Sequence, residues 1–247
     1  MNPVKKFVRS HALVYDRVRS LKRTFLGETN ESFVVLDDFS RARNRQVNFI
    51  QIGANDGLRN DPLRPLIVRD DWQGVLVEPL PTVFPLLKKN YRYLNRPGLV
   101  FANAAVTVDG TDHLSFWSYK EAFLAAQNLE DRLSYLRKAS FDREHVLSFL
   151  PHGSTPEECI AEVVVPCLSL EAILADQLPR GPLHLLAIDA EGYESTLIPG
   201  IDFSVITPDA VFFESEHLGD EEDKVFGHLR TFGYRIEQVG YDSLAIR

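Results

Sequence analysis

The chain has 247 residues, enough for one α/β domain with an extension, and 45% of them are apolar, which supports a full hydrophobic core. The formal net charge is −8, so the chain has no global electrostatic support for binding a nucleic acid. The charge is uneven. Residues 1–50 carry ten Lys and Arg against five Asp and Glu, a net of +5, and the other 17 basic and 30 acidic residues give −13 to residues 51–247.

The cysteines and the apolar segments indicate the cellular compartment in which the protein is expected. If the chain between Cys159 and Cys167 is extended, their Cα atoms are about 26 Å apart, far beyond disulfide reach. Free thiols indicate a reducing compartment. No apolar run approaches the ~18 residues of a membrane span, and charges occupy the N-terminal positions where a signal peptide needs an apolar core. We therefore expect a cytoplasmic protein without a transmembrane segment.

Residues 4–25 have the pattern of a basic amphipathic helix, with Lys and Arg between apolar positions at helical spacing. Such a helix could touch an anionic membrane surface or an acidic partner. The alternative, which we favour, is a helix packed on the domain or across a homodimer. Residues 27–45 are polar and mixed, which is typical of a short helix and a linker. We therefore predict a helical extension over residues 1–45 and one domain over 46–247.

The stretch from Val47 to Gly57 is typical of a buried strand that ends in a tight turn. Gly53 and Gly57 can adopt backbone angles closed to other residues, and Asn55 and Asp56 between them supply polar atoms. The spacing G-x-x-x-G differs from the dinucleotide fingerprint G-x-G-x-x-G. The acid and the amide inside it suit a ligand with an ammonium group and an exposed ribose better than a ligand with two phosphates. An ordinary strand-to-helix turn is the alternative.

Asp61 and Pro62 predict the N-cap and the first residue of a helix that follows the turn. A second buried strand over residues 74–79 comes next, and Glu78 at its tip lies 21 residues after Gly57. In βαβ nucleotide folds an acid at this tip accepts hydrogen bonds from ribose hydroxyls. A helix cap or a surface acid is the alternative for Glu78.

A helix over residues 82–91 and a third strand over 99–106 continue the pattern. The strand carries a small polar pair, Asn103-Ala104, that suits the flank of a flat base. Tight packing of small residues is the alternative.

The segment 107–182 is an insert between core strands 3 and 4, because a crossover needs only a dozen or so residues. Residues 114–117 alternate like a strand, 120–150 are helical in pattern, 151–156 break that pattern, and 163–170 form another short strand. An insert of this size above the strand tips is where substrate recognition would be built.

The remainder predicts the end of an open sheet. Residues 183–188 and 210–217 are apolar strands that run into acidic tips, and a helix over 220–231 follows. The last two strands, 233–237 and 243–246, are too close in sequence for a helical crossover and must pair as an antiparallel hairpin. The predicted fold is therefore a Rossmann-like α/β sheet of seven strands, mostly parallel and ended by a C-terminal hairpin.

Four sequence blocks in this order resemble the FkbM-type family of S-adenosylmethionine-dependent methyltransferases: residues 50–57 (IQIGANDG), Val77-Glu78-Pro79, Asn103-Ala104-Ala105 and residues 188–194 (IDAEGYE). Phe213-Glu214 and Ser140-Phe141-Asp142 fit the family as well. The resemblance covers residues 47–247. The glycine turn alone is weak evidence, and the D-x-E-G-x-E block makes the combination specific.

The resemblance implies a class I methyltransferase sheet, S-adenosyl-L-methionine as cofactor, and methylation of a hydroxyl oxygen on a sugar, a glycan or a small-molecule natural product. Glu78 would take the ribose, Asn103 and Ala104 would flank the adenine, and Asp189 would border the methyl group. Gln51 stands where many methyltransferases place an acid, and its oxygen can still accept a bond from the ammonium group. The implied cofactor-binding residues are Gln51, Gly53, Ala54, Asn55, Asp56, Gly57, Glu78, Pro79, Asn103, Ala104 and Asp189.

A hydroxyl acceptor must lose its proton, so we expect a base within hydrogen-bond reach. The catalytic candidates are Asp189, Glu191 and His145, drawn from a wider set that includes Glu214, Glu216 and His217. The alternatives are capping of the next helix for Glu191 and Glu194, and a solvated position for His145. Acid clusters at strand tips are common in cofactor clefts, so we predict no metal.

Two other functional classes stay open. A catalytically silent protein of the same fold would bind the cofactor or an enzyme partner without turnover, and it would lack a reachable base. A membrane- or assembly-associated module would depend mainly on the basic helix at residues 4–25.

Overall fold

The computed structural model of the protein describes residues 11–26, 30–178 and 181–247. The strands in these residues, numbered along the chain, are β1 (Asn48–Ile52), β2 (Gln73–Val77), β3 (Leu99–Ala102), β4 (Ala105–Thr107), β5 (His113–Tyr119), β6 (Ile160–Ser169), β7 (Leu185–Ile188), β8 (Ala210–Glu214), β9 (Arg235–Val239) and β10 (Asp242–Ile246). The α-helices are α1 (Ala12–Leu26), α2 (Glu31–Ala42), α3 (Arg64–Asp70), α4 (Phe84–Tyr91), α5 (Glu121–Ala126), α6 (Leu129–Leu136), α7 (Arg143–Ser148), α8 (Pro156–Cys159), α9 (Leu170–Asp176), α10 (Glu194–Gly200) and α11 (Glu222–Thr231).

A seven-stranded sheet with the order β3-β2-β1-β7-β8-β10-β9 forms the centre of the fold. The pairs from β3 to β8 are parallel, and β10 is antiparallel to both β8 and β9. This confirms the predicted Rossmann-like sheet with its C-terminal hairpin. The strand order reverses between β1 and β7, and ligands of open α/β sheets bind at the carboxyl ends of the strands beside such a reversal.

The sheet is buried on both faces, because its central strands are apolar on both sides. All four residues of β7 are buried. One face packs against α9, α10 and α11, and the other against α2, α3 and α4. These two layers hold the carboxyl ends of β1, β2, β7 and β8 in fixed positions at one edge.

The third predicted strand is wrong in its extent, because 99–106 is two strands separated at Asn103. The Asn103 Nδ2 donates to the backbone oxygens of Glu78 and Pro79 at 2.8 and 3.0 Å, which turns the chain after β3. β4 then leaves the main sheet and pairs with β6, and β6 pairs with β5 in a separate three-stranded sheet. The insert therefore has its own sheet and its own hydrophobic core.

The helical pattern over 120–150 consists of three helices, α5, α6 and α7. Asn128 ends the first run, because its side chain accepts hydrogen bonds from the amides of Glu130 and Asp131 and so caps α6. Ser140 ends the second run by pairing with Trp117 of β5. Asp142 then caps α7. Polar residues that bond to nearby amides compete with the helix, and the apolar spacing alone does not reveal this.

Several smaller boundaries also differ from the sequence prediction. The helix after the glycine turn begins at Arg64, because Asp61 Oδ1 accepts bonds from the amides of Leu63 and Arg64, and Pro62 lies before the helix. The fourth core strand begins at Leu185, the fifth ends at Glu214, and β6 begins at Ile160. Cys159 and Cys167 are free, as predicted.

The N-terminal helix is tied to the domain by one buried arginine. Arg64 is fully buried, and its Nε and Nη2 donate to the two carboxylate oxygens of Asp16 on α1 at 2.9 and 3.0 Å. The same guanidinium donates to the backbone oxygens of Gly57 and Asn90 and lies over the Tyr91 ring. The described part of the basic helix is therefore packed on the domain. Residues 4–10 of that prediction lie outside the described residues. Within residues 11–26, 30–178 and 181–247 no helix is long and apolar enough to cross a bilayer.

We expect Asp16→Asn to destabilise the fold, because it leaves a buried guanidinium without its counter-charge. Breaking a buried ion pair typically costs about 3–5 kcal/mol, and the oxygen retained by asparagine should reduce the loss to about 2–3 kcal/mol. The measurement is the free energy of unfolding in urea. Asp38→Asn is the control, since Asp38 is exposed in its pair with Arg41 and should change stability by under about 0.5 kcal/mol. Equal losses in the two variants would show that the Arg64 pair does not anchor α1.

Candidate active site

Two adjoining cavities open at the carboxyl edge of the main sheet. A small pocket of about 60 Å³ lies between the strand tips and the insert. A wide cleft of about 750 Å³ extends from the same tips toward α2, α7 and the β9–β10 turn. Residues that line both cavities are Gly53, Asn55, Arg137, Asp189 and Glu191.

The close approach of the neighbouring strand β7 requires a glycine at position 53. Its φ is +77°, and a Cβ placed on it would lie 1.7 Å from the backbone oxygen of Asp189. The amides of Gly53 and Ala54 both donate to the Val77 oxygen, and the Asp189 amide donates to the Ile52 oxygen. The turn therefore brings the tips of β1, β2 and β7 into direct backbone contact, and any side chain at position 53 would force β1 and β7 apart.

Asp56 and Gly57 face the interior instead of the cavities. A Cβ on Gly57 would lie 2.4 Å from Leu87 and 2.6 Å from Tyr91, so this glycine allows α4 to pack closely. Asp56 is buried, and its Oδ1 accepts bonds from the Leu58 and Arg59 amides at 2.9 and 3.0 Å. Neither residue lines the small pocket or the wide cleft. Asp56 and Gly57, which were predicted to bind the cofactor, therefore stabilise the turn from its buried side.

Glu78 lies where the sequence predicts an acid, at the tip of β2. Its Oε2 accepts a bond from the Asn55 amide and its Oε1 from the Leu80 amide, each at 2.9 Å. The side chain is 4% exposed, and burial raises its pKa to about 7, partly offset by those two bonds. Each carboxylate oxygen retains an acceptor site, so Glu78 can still take hydroxyl donors. Pro79 and Ala104 line the small pocket beside it.

Gln51 supplies a buried acceptor without a partner. Its side chain lines the wide cleft and is 6% exposed. Its Oε1 has no hydrogen bond to any described residue. Since an unpaired buried acceptor costs about 1–3 kcal/mol, this oxygen suits an N–H donor of a bound ligand. Asn103 behaves differently, because its side chain is used by the β2 tip and does not line either cavity.

Acids from two strand tips converge in the wide cleft. Carboxylate oxygens of Asp189, Glu194 and Glu214 all lie within 4.8 Å of one another. Asp189 is open to the cleft, yet burial among protein atoms raises its pKa well above the usual value, and the charges of Glu214 and Glu191 add to the shift. Burial, with Glu191 and Glu194, raises the pKa of Glu214 to about 8. Crowding of this kind disfavours the fully ionised cluster and favours a bound positive charge.

Glu191 and Glu194 have separate roles in the loop after β7. Glu194 is buried, and its carboxylate accepts bonds from the Ala190 and Gly192 amides, so this acid holds the loop. Glu191 caps no helix. Its backbone is left-handed with φ at +50°, and its Oε2 lies 3.6 Å from the Nε2 of His145. The structure thus brings Glu191 and His145 together.

The insert contributes two of the positive charges of the site, Arg137 and Lys138. Burial and Glu194 raise the pKa of Glu191 to about 7, while Arg137 and Lys138 act in the opposite direction. Burial, with His217, lowers the pKa of His145, so its imidazole is neutral near pH 7 and can accept a proton. No sequence pattern marks Arg137 or Lys138 as functional residues. In the sequence they look like any solvated cations, and only the fold places them beside the acids.

The sequence matches the model of a family described as "Methyltransferase FkbM domain" over residues 51–242. No curated protein matches it significantly. The structure is similar to that of precorrin-6y C5,15-methyltransferase from Geobacter metallireducens GS-15, at 11% identity over 82% of each chain and a TM-score of 0.40. It is also similar to a human methyltransferase 10 domain containing protein, at 11% identity over 92% of this chain and 91% of that one, with a TM-score of 0.45. At this level the likeness concerns the overall fold only.

We expect stability to fall as the pH rises from about 5 to about 8. The pKa of Glu214 is about 8 in the folded state and 4.5 in the unfolded chain. Across this pH range the folded state therefore holds a proton that the unfolded chain has lost, and stability decreases as the pH rises. Glu214→Gln imitates the protonated, neutral form of this side chain. The decrease in Tm over this pH range should therefore be smaller by several degrees, at about 2–4 °C per kcal/mol. Thermal melts across this pH range measure it. Glu237→Gln, at an exposed site, should leave the profile unchanged. An unflattened profile in Glu214→Gln would contradict the raised pKa.

Proposed function

Since the chain belongs to the FkbM methyltransferase family, we propose that it is an S-adenosylmethionine-dependent O-methyltransferase that acts on a hydroxyl of a sugar, a glycan or a small-molecule natural product. The observation that carries the proposal is the position of Glu78. A buried acid with acceptor capacity left lies at the tip of the second strand, beside the glycine turn and the small pocket.

The residues at the strand tips fit this cofactor. Glu78 would accept from the ribose hydroxyls, and the unpaired Oε1 of Gln51 would accept from the ammonium group. Pro79 and Ala104 line the small pocket and would flank the adenine. Asp189 would border the methyl group, where its charge favours a sulfonium. When bound, S-adenosylmethionine supplies an activated methyl group, and the protein mainly has to align the acceptor and exclude water.

The acceptor proton has three candidate destinations in the wide cleft. Asp189 and Glu191 lie at the junction of both cavities, and His145 faces Glu191 from the insert. A neutral His145 can take the proton from a hydroxyl, and Glu191 beside it would stabilise the resulting imidazolium. A silent binding protein would have no need of such a group within reach of the cofactor edge. The convergence therefore favours an enzyme.

The charges of the wide cleft restrict the acceptor. We propose that the acceptor is neutral or cationic and that residues 107–182 carry its recognition. A phosphorylated or carboxylated acceptor would bring a further negative charge to a cleft whose acids already have raised pKa values because negative charge is disfavoured there. Tyr241 is exposed on the cleft wall and offers an apolar ring face to such an acceptor, and Phe149 lies on the wall as well with the Lys138 ammonium over its ring. The acids that line the cleft are Glu31, Asp61, Asp189, Glu191, Glu214, Glu216 and Asp242, against Arg59, Arg137 and Lys138.

Glu78→Ala should weaken cofactor binding about 10- to 100-fold, because charge-assisted bonds to two hydroxyls are worth about 1.5–3 kcal/mol. Calorimetry with S-adenosylhomocysteine measures the affinity, and circular dichroism checks that the variant is folded. Glu158→Ala, at an exposed position of the insert, is the control and should bind normally. Unchanged affinity in folded Glu78→Ala would remove Glu78 from the site and with it the main support for the cofactor.

Asp189→Asn separates an enzyme from a silent binder. It keeps the shape and removes the charge, so turnover should fall, by about 10²–10⁴-fold for a general base. Cofactor affinity should change much less than in Glu78→Ala. The assay is transfer of labelled methyl to a panel of neutral, cationic and phosphorylated hydroxyl compounds, with and without a chelator. Full activity in Asp189→Asn would exclude a catalytic role for this acid, and loss of activity with chelator would contradict the expectation of no metal.

A further inference from the structure

Ser140 links the insert to the loop that carries the catalytic candidates. It is fully buried, and its Oγ donates to the backbone oxygen of Glu191 at 2.9 Å. The same Oγ accepts a bond from the Asp142 amide at 3.1 Å. Its backbone is fixed by two bonds to Trp117 of β5, at 2.8 and 3.1 Å. The Ser140 hydroxyl is thus fixed within the insert and donates to the Glu191 carbonyl in the loop after β7.

Glu191 needs such a restraint. Its φ of +50° is in the left-handed region, where a residue with a long side chain is disfavoured unless its surroundings hold it. The next residue, Gly192, is also left-handed at +98°. Glu194 holds the amides on either side of Glu191, and Ser140 binds the carbonyl of Glu191 itself. The strained peptide is therefore bound from both directions.

The segment that holds the backbone of Glu191 also supplies the partner of its side chain. Asp142 caps α7, and His145 lies in the first turns of that helix. The His145 Nε2 lies 3.6 Å from the Glu191 Oε2. Residues 140–145 thus contact Glu191 twice, through Ser140 at its carbonyl and through His145 at its carboxylate.

From this double contact we infer that Ser140 is a positioning residue, which sets the Glu191 backbone so that its carboxylate meets His145 at the wide cleft. The insert then completes the active site in addition to recognising the acceptor. The inference rests on the proposed function, in which Glu191 and His145 receive the acceptor proton. Its structural part does not depend on that function and can be measured without an acceptor.

The first test follows the pH titration of the His145 imidazole by NMR in the full chain. Glu191→Gln should change the midpoint, because two titrating groups 3.6 Å apart exchange protons as a pair and the substitution removes one of them. Ser140→Ala should shift the midpoint in the same direction, and in the Glu191→Gln background it should have no further effect. The other charged groups that act on His145 are Asp142, Lys138 and His217, and all of them are kept in these variants.

The control is Ser118→Ala, a buried serine on β5 in the same insert, which should leave the His145 titration unchanged. If Ser140→Ala does not fold, Ser140→Cys replaces the hydroxyl with a slightly larger group that is a weaker donor and allows the same comparison. An unchanged midpoint in Ser140→Ala, or an equal shift with and without the Glu191 carboxylate, would overturn the inference.

The second test uses methyl transfer. Ser140→Ala should lower kcat about 10- to 100-fold, since a misplacement of about 1 Å can cost that much, with cofactor affinity within about twofold of the unmodified protein. Ser118→Ala should keep kcat within about twofold, as expected of a packing change away from the site. A parallel loss of kcat and cofactor affinity in Ser140→Ala would mean a purely structural role and would overturn the inference. If no transfer is found in the unmodified protein, the proposed function fails, and the titration still decides the role of Ser140.

Discussion

The close approach of β1 and β7 is the constraint on which the rest of the site depends. The Asp189 carbonyl occupies the space where a Cβ at position 53 would lie, so Gly53 has to be glycine for the two strand tips to meet. Their contact places the Glu78 end of the site and the Asp189–Glu194 loop on opposite sides of one turn. A cofactor bound at Glu78, as proposed, would have its reacting end next to the acids without any movement of the domain. The proximity is set by backbone packing, and the side chains only have to supply chemistry.

Two segments outside the main sheet complete this edge. From behind, Arg64 binds Asp16 of α1 and the backbone oxygen of Gly57, so the N-terminal helix stabilises the far end of the glycine turn. From the front, the insert places Arg137, Lys138 and His145 against Glu191. Without these cations and the imidazole, no positive charge from the insert would offset the effect of burial and crowding, which favour the protonated forms of the carboxylates. The insert therefore balances the charge of the acids that the sheet assembles.

Most of the fold could be predicted from the sequence, because it depends on local patterns. Apolar runs marked the core strands, and the short spacing of the last two strands required a hairpin. The spacing from Gly57 to Glu78 is enough to predict an acid at the second strand tip. The predictions went wrong where a polar residue bonds to a distant segment, through its side chain or through its backbone. Asn103 divides the third strand by bonding to the β2 tip, and Ser140 interrupts the helical stretch by pairing with β5.

The sequence by itself determined the sheet, the turn, the family resemblance and which acids end the strands. Only the tertiary structure decided which way those residues face. Asp56 and Gly57 belong to the turn motif but point inward, because α4 packs against that side. Glu191 and Glu194 are three residues apart, yet a left-handed backbone turns one carboxylate toward His145 and the other back onto the loop. His145 and Glu191 are 46 positions apart in the chain and come together only through long-range packing. Local periodicity carries no information about such contacts.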